Sequence, residues 1–132
     1  MKNIAIFTFC ILMALSYSCK KQKSNTNEKN AVDTRMSISL LVRGIAFDNE
    51  LVSNAVGIAG EETSQWRRYL KLRDKATIEE LRYLTNHENP VVRAYSFQAL
   101  AYRTDKDIFP ILIEHLNDTT TLNTFFGCIK SS

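Results

Sequence analysis

The chain has 132 residues, with 17 Lys and Arg against 14 Asp and Glu, a formal net charge of +3. That length suits one small domain with a modest core. Lys20, Lys21, Lys23 and Lys29 crowd one polar segment, so the basic balance belongs to a tail and fits an anionic lipid surface better than nucleic acid.

Ile4 to Tyr17 is an almost unbroken apolar run behind Lys2. It is shorter than the roughly 20 residues a helix needs to cross a bilayer, so it reads as a secretory signal. Cys19 follows at once, then a lysine-rich stretch. This arrangement resembles a bacterial lipoprotein signal, which implies that residues 1–18 are removed and that Cys19 carries lipid. The match is partial: Leu15 stands four residues before the cysteine instead of three, Ser16 takes the third place and Tyr17 is bulky. Ordinary cleavage or an uncleaved anchor is the alternative. Cys10 leaves with the signal and Cys19 is lipidated, so Cys128 stands alone and no intrachain disulfide is possible. Its apolar neighbours, Phe125, Phe126 and Ile129, predict a buried thiol.

Residues 19–33 form the expected lipidated tether, since they hold too little apolar surface to offset chain entropy. The resemblance adds that a start poor in acids points the domain toward the periplasm. From 34 to 132 the pattern is helical. Asp33 or Thr34 caps a helix with Ile38, Leu41, Val42 and Ile45 at helical spacing. Leu51, Val52, Val56 and Ile58 suggest another short helix, weakened by Gly57 and Gly60. Thr63 or Ser64 opens a helix through Trp66, Tyr69, Leu70 and Leu72, on which Arg67 and Arg68 mark a solvated face. Thr77 to Glu80 is a capping box ahead of Ile78, Leu81 and Leu84. Asn89 caps, and Pro90 opens, a helix to about Tyr102 that buries Val92, Tyr95, Ser96, Ala99 and Leu100. The cap region 104–107 starts a helix over 108–117 with Ile108, Ile111, Leu112 and Leu116 inward. Leu122, Phe125, Phe126 and Ile129, at i, i+3, i+4 and i+7, predict a last short helix.

Residues 80–100 and 112–128 resemble each other at a period of about 30 residues, a leucine-bearing helix, a polar turn and a second helix each time, which points to stacked helical pairs. Asn89-Pro90-Val91-Val92-Arg93 followed by Ala99-Leu100 resembles the turn and second helix of a HEAT repeat, and Asp118 matches the aspartate that closes a first helix. The resemblance covers 77–130, with residues 63–76 as a preceding helix. It implies an all-α fold, an α-α superhelix of HEAT- or armadillo-like pairs with about two units plus N-terminal helices. Pro90, Val92, Arg93 and Asp118 become repeat-structural residues, Arg93 and Asp118 tying successive units. Such stacks usually need about three units. Either the N-terminal helices close this one, or another chain does, or the sequence is a shortened relative of a longer protein.

No pattern of catalytic residues emerges. His87, Glu88, His115, Glu114 and Cys128 lack metal-ligand spacing, and the pairs Glu61-Glu62 and Glu79-Glu80 fall at or ahead of helix starts, where the dipole favours negative charge. Trp66, Tyr69, Tyr95 and Tyr102 recur at core spacing. The sequence therefore predicts a non-catalytic, lipid-anchored envelope protein that binds an unknown protein partner through a HEAT-like module. No cofactor, metal, nucleic acid or small-molecule substrate is expected. An accessory or metal-dependent envelope enzyme built on His87 and His115, or a purely structural lipoprotein, is the alternative.

Overall fold

The computed structural model describes residues 29–103 and 108–132. The signal segment, Cys19, the first part of the expected tether and the cap region at 104–107 lie outside them. The chain divides into two units, Met1–Met36 and Ser37–Ser132. Of the first, residues 29–36 are described; they are helical and exposed, so helix already covers the end of the segment expected as tether. Thr34 lies inside that helix and donates its hydroxyl to the Asn30 carbonyl at 2.9 Å instead of capping a helix start.

The second unit opens on α1 (residues 37–48), whose Ile38, Val42 and Ile45 are buried at i, i+4 and i+7. Asn49 ends it in the left-handed region (φ +47), one of the few non-glycine residues that tolerates this helix-ending geometry. Then come β1 (Leu51–Val56), α2 (Ser64–Lys75), α3 (Ile78–Leu84), α4 (Pro90–Tyr102), α5 (Phe109–Glu114), β2 (Thr124–Gly127) and β3 (Ile129–Ser131). Thr63 caps α2. Both halves of the Thr77/Glu80 capping box form, the Glu80 amide donating to the Thr77 hydroxyl at 3.1 Å and the Thr77 amide to the Glu80 carboxylate at 2.8 Å.

The fold is not all-α, and the helical superhelix is overturned. Five helical segments and a three-stranded mixed sheet make up the described part of the chain. The sheet runs β1-β2-β3, with β1 and β2 parallel and β2 and β3 antiparallel. A helix cannot run through 122–129 because Gly127 takes φ +56 and, with Cys128, forms the two-residue turn between the paired residues Phe126 and Ile129. Positive φ at the first turn position is what a tight hairpin of this length uses, and Thr and Phe suit the flanking strands. The short helix expected over 51–58 is likewise a strand. Its partner comes from the far end of the unit: the Leu51 amide donates to Asn123 O (2.8 Å) and the Gly57 amide to Gly127 O (2.7 Å). The second helical pair is therefore absent. α5 is shorter than 108–117, Ile111 alone on it is buried, and Leu112 and Leu116 stay exposed because the element expected to cover them pairs in the sheet.

α3 and α4 do pack against each other around Leu81, Leu84, Val91 and Val92, all buried. Tyr69 of α2 and Tyr95 of α4 stack at the centre with ring centroids 4.8 Å apart. Tyr95 is 0 % exposed, and its hydroxyl accepts from the Val52 amide (2.9 Å) and donates to the Val52 carbonyl (3.3 Å). In a strand both polar groups of one residue point to the same edge. Tyr95 thus serves Val52 as a neighbouring strand would, on the side of β1 away from β2.

Candidate functional site

The sequence placed its structural residues around the start of α4, and there the chain builds a dense polar cluster. Asn89 Oδ1 accepts from the Val91 and Val92 amides (3.0 and 3.1 Å), and Pro90 occupies the first turn, where its missing N–H loses nothing. Val92 is fully buried. Arg93 turns back over the helix start. Its Nη1 donates to the carbonyls of His87 and Glu88 (3.0 Å each), its Nε to Asp118 Oδ2 (2.8 Å) and its Nη2 to Thr120 Oγ1 (3.1 Å), with Nη2 also 2.7 Å from Asp118 Oδ2. Thr120 completes the ring, its hydroxyl and amide donating to Asp118 Oδ1 at 2.6 and 3.1 Å. Those two hydrogen bonds, and then the Arg93 guanidinium, pull the Asp118 carboxyl down to about 2. Arg93 and Asp118 meet as the sequence suggested, but the joined parts differ: the pair fastens the loop entering β2 to the start of α4, not one repeat to the next.

Beside this cluster lies a cleft of about 210 Å³ walled by Pro90, Ala94, Phe97, Leu112 and Leu122, with His115 on its side. The His115 ring meets Phe97 edge to face (centroids 5.0 Å apart, 87°), and its Nε2 is buried with no hydrogen-bond partner among the described residues. The cleft offers an incoming ligand little to hold: the Arg93 donors face acceptors already, and a sealed Nε2 cannot reach one. His87 is used within its own turn, Nδ1 accepting from the Asn89 amide at 3.0 Å. No group of three or more His, Cys, Asp or Glu side chains gathers as a metal site among the described residues.

A second cleft, of about 290 Å³, opens between residues 48–50 and the chain end at 130–132. Its charges are paired, Glu50 with Lys130 (3.0 Å) and Asp48 with Arg68. No family model, curated protein or solved structure matches the chain.

Cys128 is exposed at the hairpin turn, which corrects the expectation of a buried thiol: the apolar neighbours that suggested burial alternate across strands instead of lining one helix face. Tyr69 and Tyr95 are core residues as expected, whereas Tyr102 is exposed, with the Arg73 guanidinium 4.4 Å from its ring centre. Arg67 lies in solvent, but Arg68 is half-buried over Gly44 and holds Asp48. Two ties had no sequence signal. Buried Gln65 donates to the carbonyls of Ile45 (3.1 Å) and Glu50 (3.0 Å), and Asn89 Nδ2 reaches Asn49 Oδ1 at 2.8 Å. Only a contact across the fold reveals either.

Proposed function

We propose that this is a lipid-anchored protein of the bacterial cell envelope whose folded unit binds another protein and carries out no chemistry. Cys19 is the lipidated residue, and the domain faces the periplasm. The observation that carries the reading is the contrast between the polar and apolar residues of the C-terminal third. Arg93, Asp118 and Thr120 spend their hydrogen bonds on one another and on the carbonyls of His87 and Glu88, while Leu112, Ile113, Leu116, Phe126 and Ile129 remain exposed. Exposed aliphatic and aromatic groups in one stretch of chain are the usual material of a protein interface. Arg93 and Asp118 act by holding the loop from which β2 and β3 start.

The test is site-specific photo-crosslinking in cells from positions 113 and 116. One discrete partner, captured from these positions and not from an exposed position on α2, and lost on Leu112→Asp with an unchanged circular dichroism spectrum, is expected. Crosslinks that ignore position would refute a specific interface. Anchoring is tested separately: Cys19→Ala releases the protein from the membrane fraction, and full retention would contradict lipidation at that residue.

A further inference from the structure

The face where α1 meets α2 has a composition that neither the core nor the proposed partner surface explains. Gly44 marks the seam: a Cβ there would lie 2.8 Å from Arg68 Nε, so the Arg68 side chain of α2 lies over α1 in the space a larger residue would fill. Leu40 and Phe47 are four residues before and three after Gly44, in the same row on α1, and are 61 % and 88 % exposed. Arg43 lies between them. On α2, Lys71 and Lys75 follow Arg68 at i+3 and i+7 and are exposed, to one side of the buried row Gln65, Tyr69 and Leu72. Arg43, Lys71 and Lys75 pair with no acid among the described residues. Asp48, the acid at the seam, is taken by Arg68, and Glu62 is taken by Arg67.

We propose that this face, Leu40 and Phe47 with Arg43, Lys71 and Lys75, lies against an anionic lipid bilayer. Two exposed apolar side chains together with three cations that pair with no acid among the described residues are the complement of such a surface, where apolar groups enter the headgroup boundary and each nearby cation adds attraction. A protein partner of acidic character would need an apolar pocket for Phe47 beside acids for the cations, whereas an anionic bilayer supplies both in one surface. The inference rests on the anchored reading only for why a bilayer is within reach: the tether's own lysines precede α1 in the chain.

The experiment uses the full chain carrying Phe47→Trp and Trp66→Phe, so that one indole reports from the face, with Cys19 intact and with Cys19→Ala. Vesicles of phosphatidylcholine with phosphatidylglycerol, and of phosphatidylcholine alone, carry brominated acyl chains that quench an inserted indole. Quenching is expected with the anionic vesicles whether or not Cys19 is present, and Lys71→Glu with Lys75→Glu weakens it more than roughly tenfold. Protein that sediments with vesicles while residue 47 stays unquenched overturns the face and leaves the anchor standing. Loss of sedimentation on Cys19→Ala, with quenching at 47 in the intact chain unaffected by the charge reversals, also overturns it. Equal quenching from Ile58→Trp, a fully exposed position in the turn after β1, would show that contact is not specific to this face and sink it too. Hydrogen exchange at residues 40–47 in the chain with Trp66 retained gives a second readout, with slowing on anionic vesicles expected and its absence contrary. A second copy or an acidic partner as occupant would leave the lipid signal at zero.

Discussion

Tyr95→Phe removes one oxygen and tests whether the sheet is held to the helices through a side chain. The ring stays, so its stacking on Tyr69 and the volume of the core are kept. What is lost is the hydroxyl that serves both polar groups of Val52, a residue 2 % exposed. A buried polar group left without a partner costs about 1–3 kcal/mol, and two groups are stranded, so a loss of about 2–4 kcal/mol is expected. Against the roughly 5–15 kcal/mol of a typical domain this is large, and it corresponds to a fall in Tm of roughly 10–25 °C. Urea unfolding followed by circular dichroism reads it, with Tyr102→Phe as the control because that side chain is exposed. The same hydroxyl gives a pH signature. Burial pushes Tyr95 up to about 12, only partly offset by its hydrogen bond to Val52. The unfolded chain ionises near 10, so the contribution is whole below about pH 10 and is lost as pH rises to about 12, by about 2–3 kcal/mol. Tyr95→Phe should flatten that alkaline decline. A variant within about 0.5 kcal/mol of the parent, with the alkaline arm unchanged, would refute the bridging role.

Arg93→Ala strips the guanidinium, 14 % exposed, from two carbonyls, Asp118 and Thr120. It should cost about 1–3 kcal/mol in a urea titration. An unchanged midpoint would mean that the cluster adds nothing net. Thr77→Ala breaks the capping box and should lower stability by about 0.5–2 kcal/mol, with hydrogen exchange speeding first at the start of α3. Gly127→Ala meets nothing within 4 Å, so its whole effect is backbone strain at φ +56. A loss of about 1 kcal/mol is expected, and a gain on thermal melting would show that the turn is not as described.

The starts of α2, α3 and α4 were legible in the sequence because the signals that set them are local. Thr77 and Glu80, or Asn89 and Pro90, act within one turn, and the buried faces of α3 and α4 repeat at helical spacing. The pairing of β1 with β2 was hidden because nothing local specifies it. β1 is a single short strand that pairs locally only at its end, Val56 with Glu61, and otherwise hydrogen-bonds to Tyr95 and residues 123–127. Leu122, Phe125, Phe126 and Ile129 satisfy a helical spacing by coincidence, while Gly127 carries the decisive information: its positive φ fits a hairpin turn and not the middle of a helix. A strand-forming set, Thr-Phe-Phe before Gly and Ile after Cys, was the available signal.

The Arg93–Asp118 pair shows how a correct contact can be drawn from an incorrect architecture. An arginine in the first turn of a helix, free to reach back over its N-terminus, will find the carbonyls of the preceding turn and any carboxylate brought alongside. At Arg93 those are His87, Glu88 and Asp118. That chemistry needs a helix start and a returning chain, and it is indifferent to whether the chain then forms a helix or a strand. Thr120 makes the difference. Its hydroxyl and amide hold Asp118 Oδ1, and the chain then runs on to Leu51's partner Asn123 and into β2. A repeat would need the residues after Asp118 to turn into a second helix and cover Leu112 and Leu116. Here they cross to the sheet, and those two side chains are left exposed as candidates for contact with another protein. The departure from the repeat pattern thus both removes the superhelix and creates the apolar surface on which the proposed function rests.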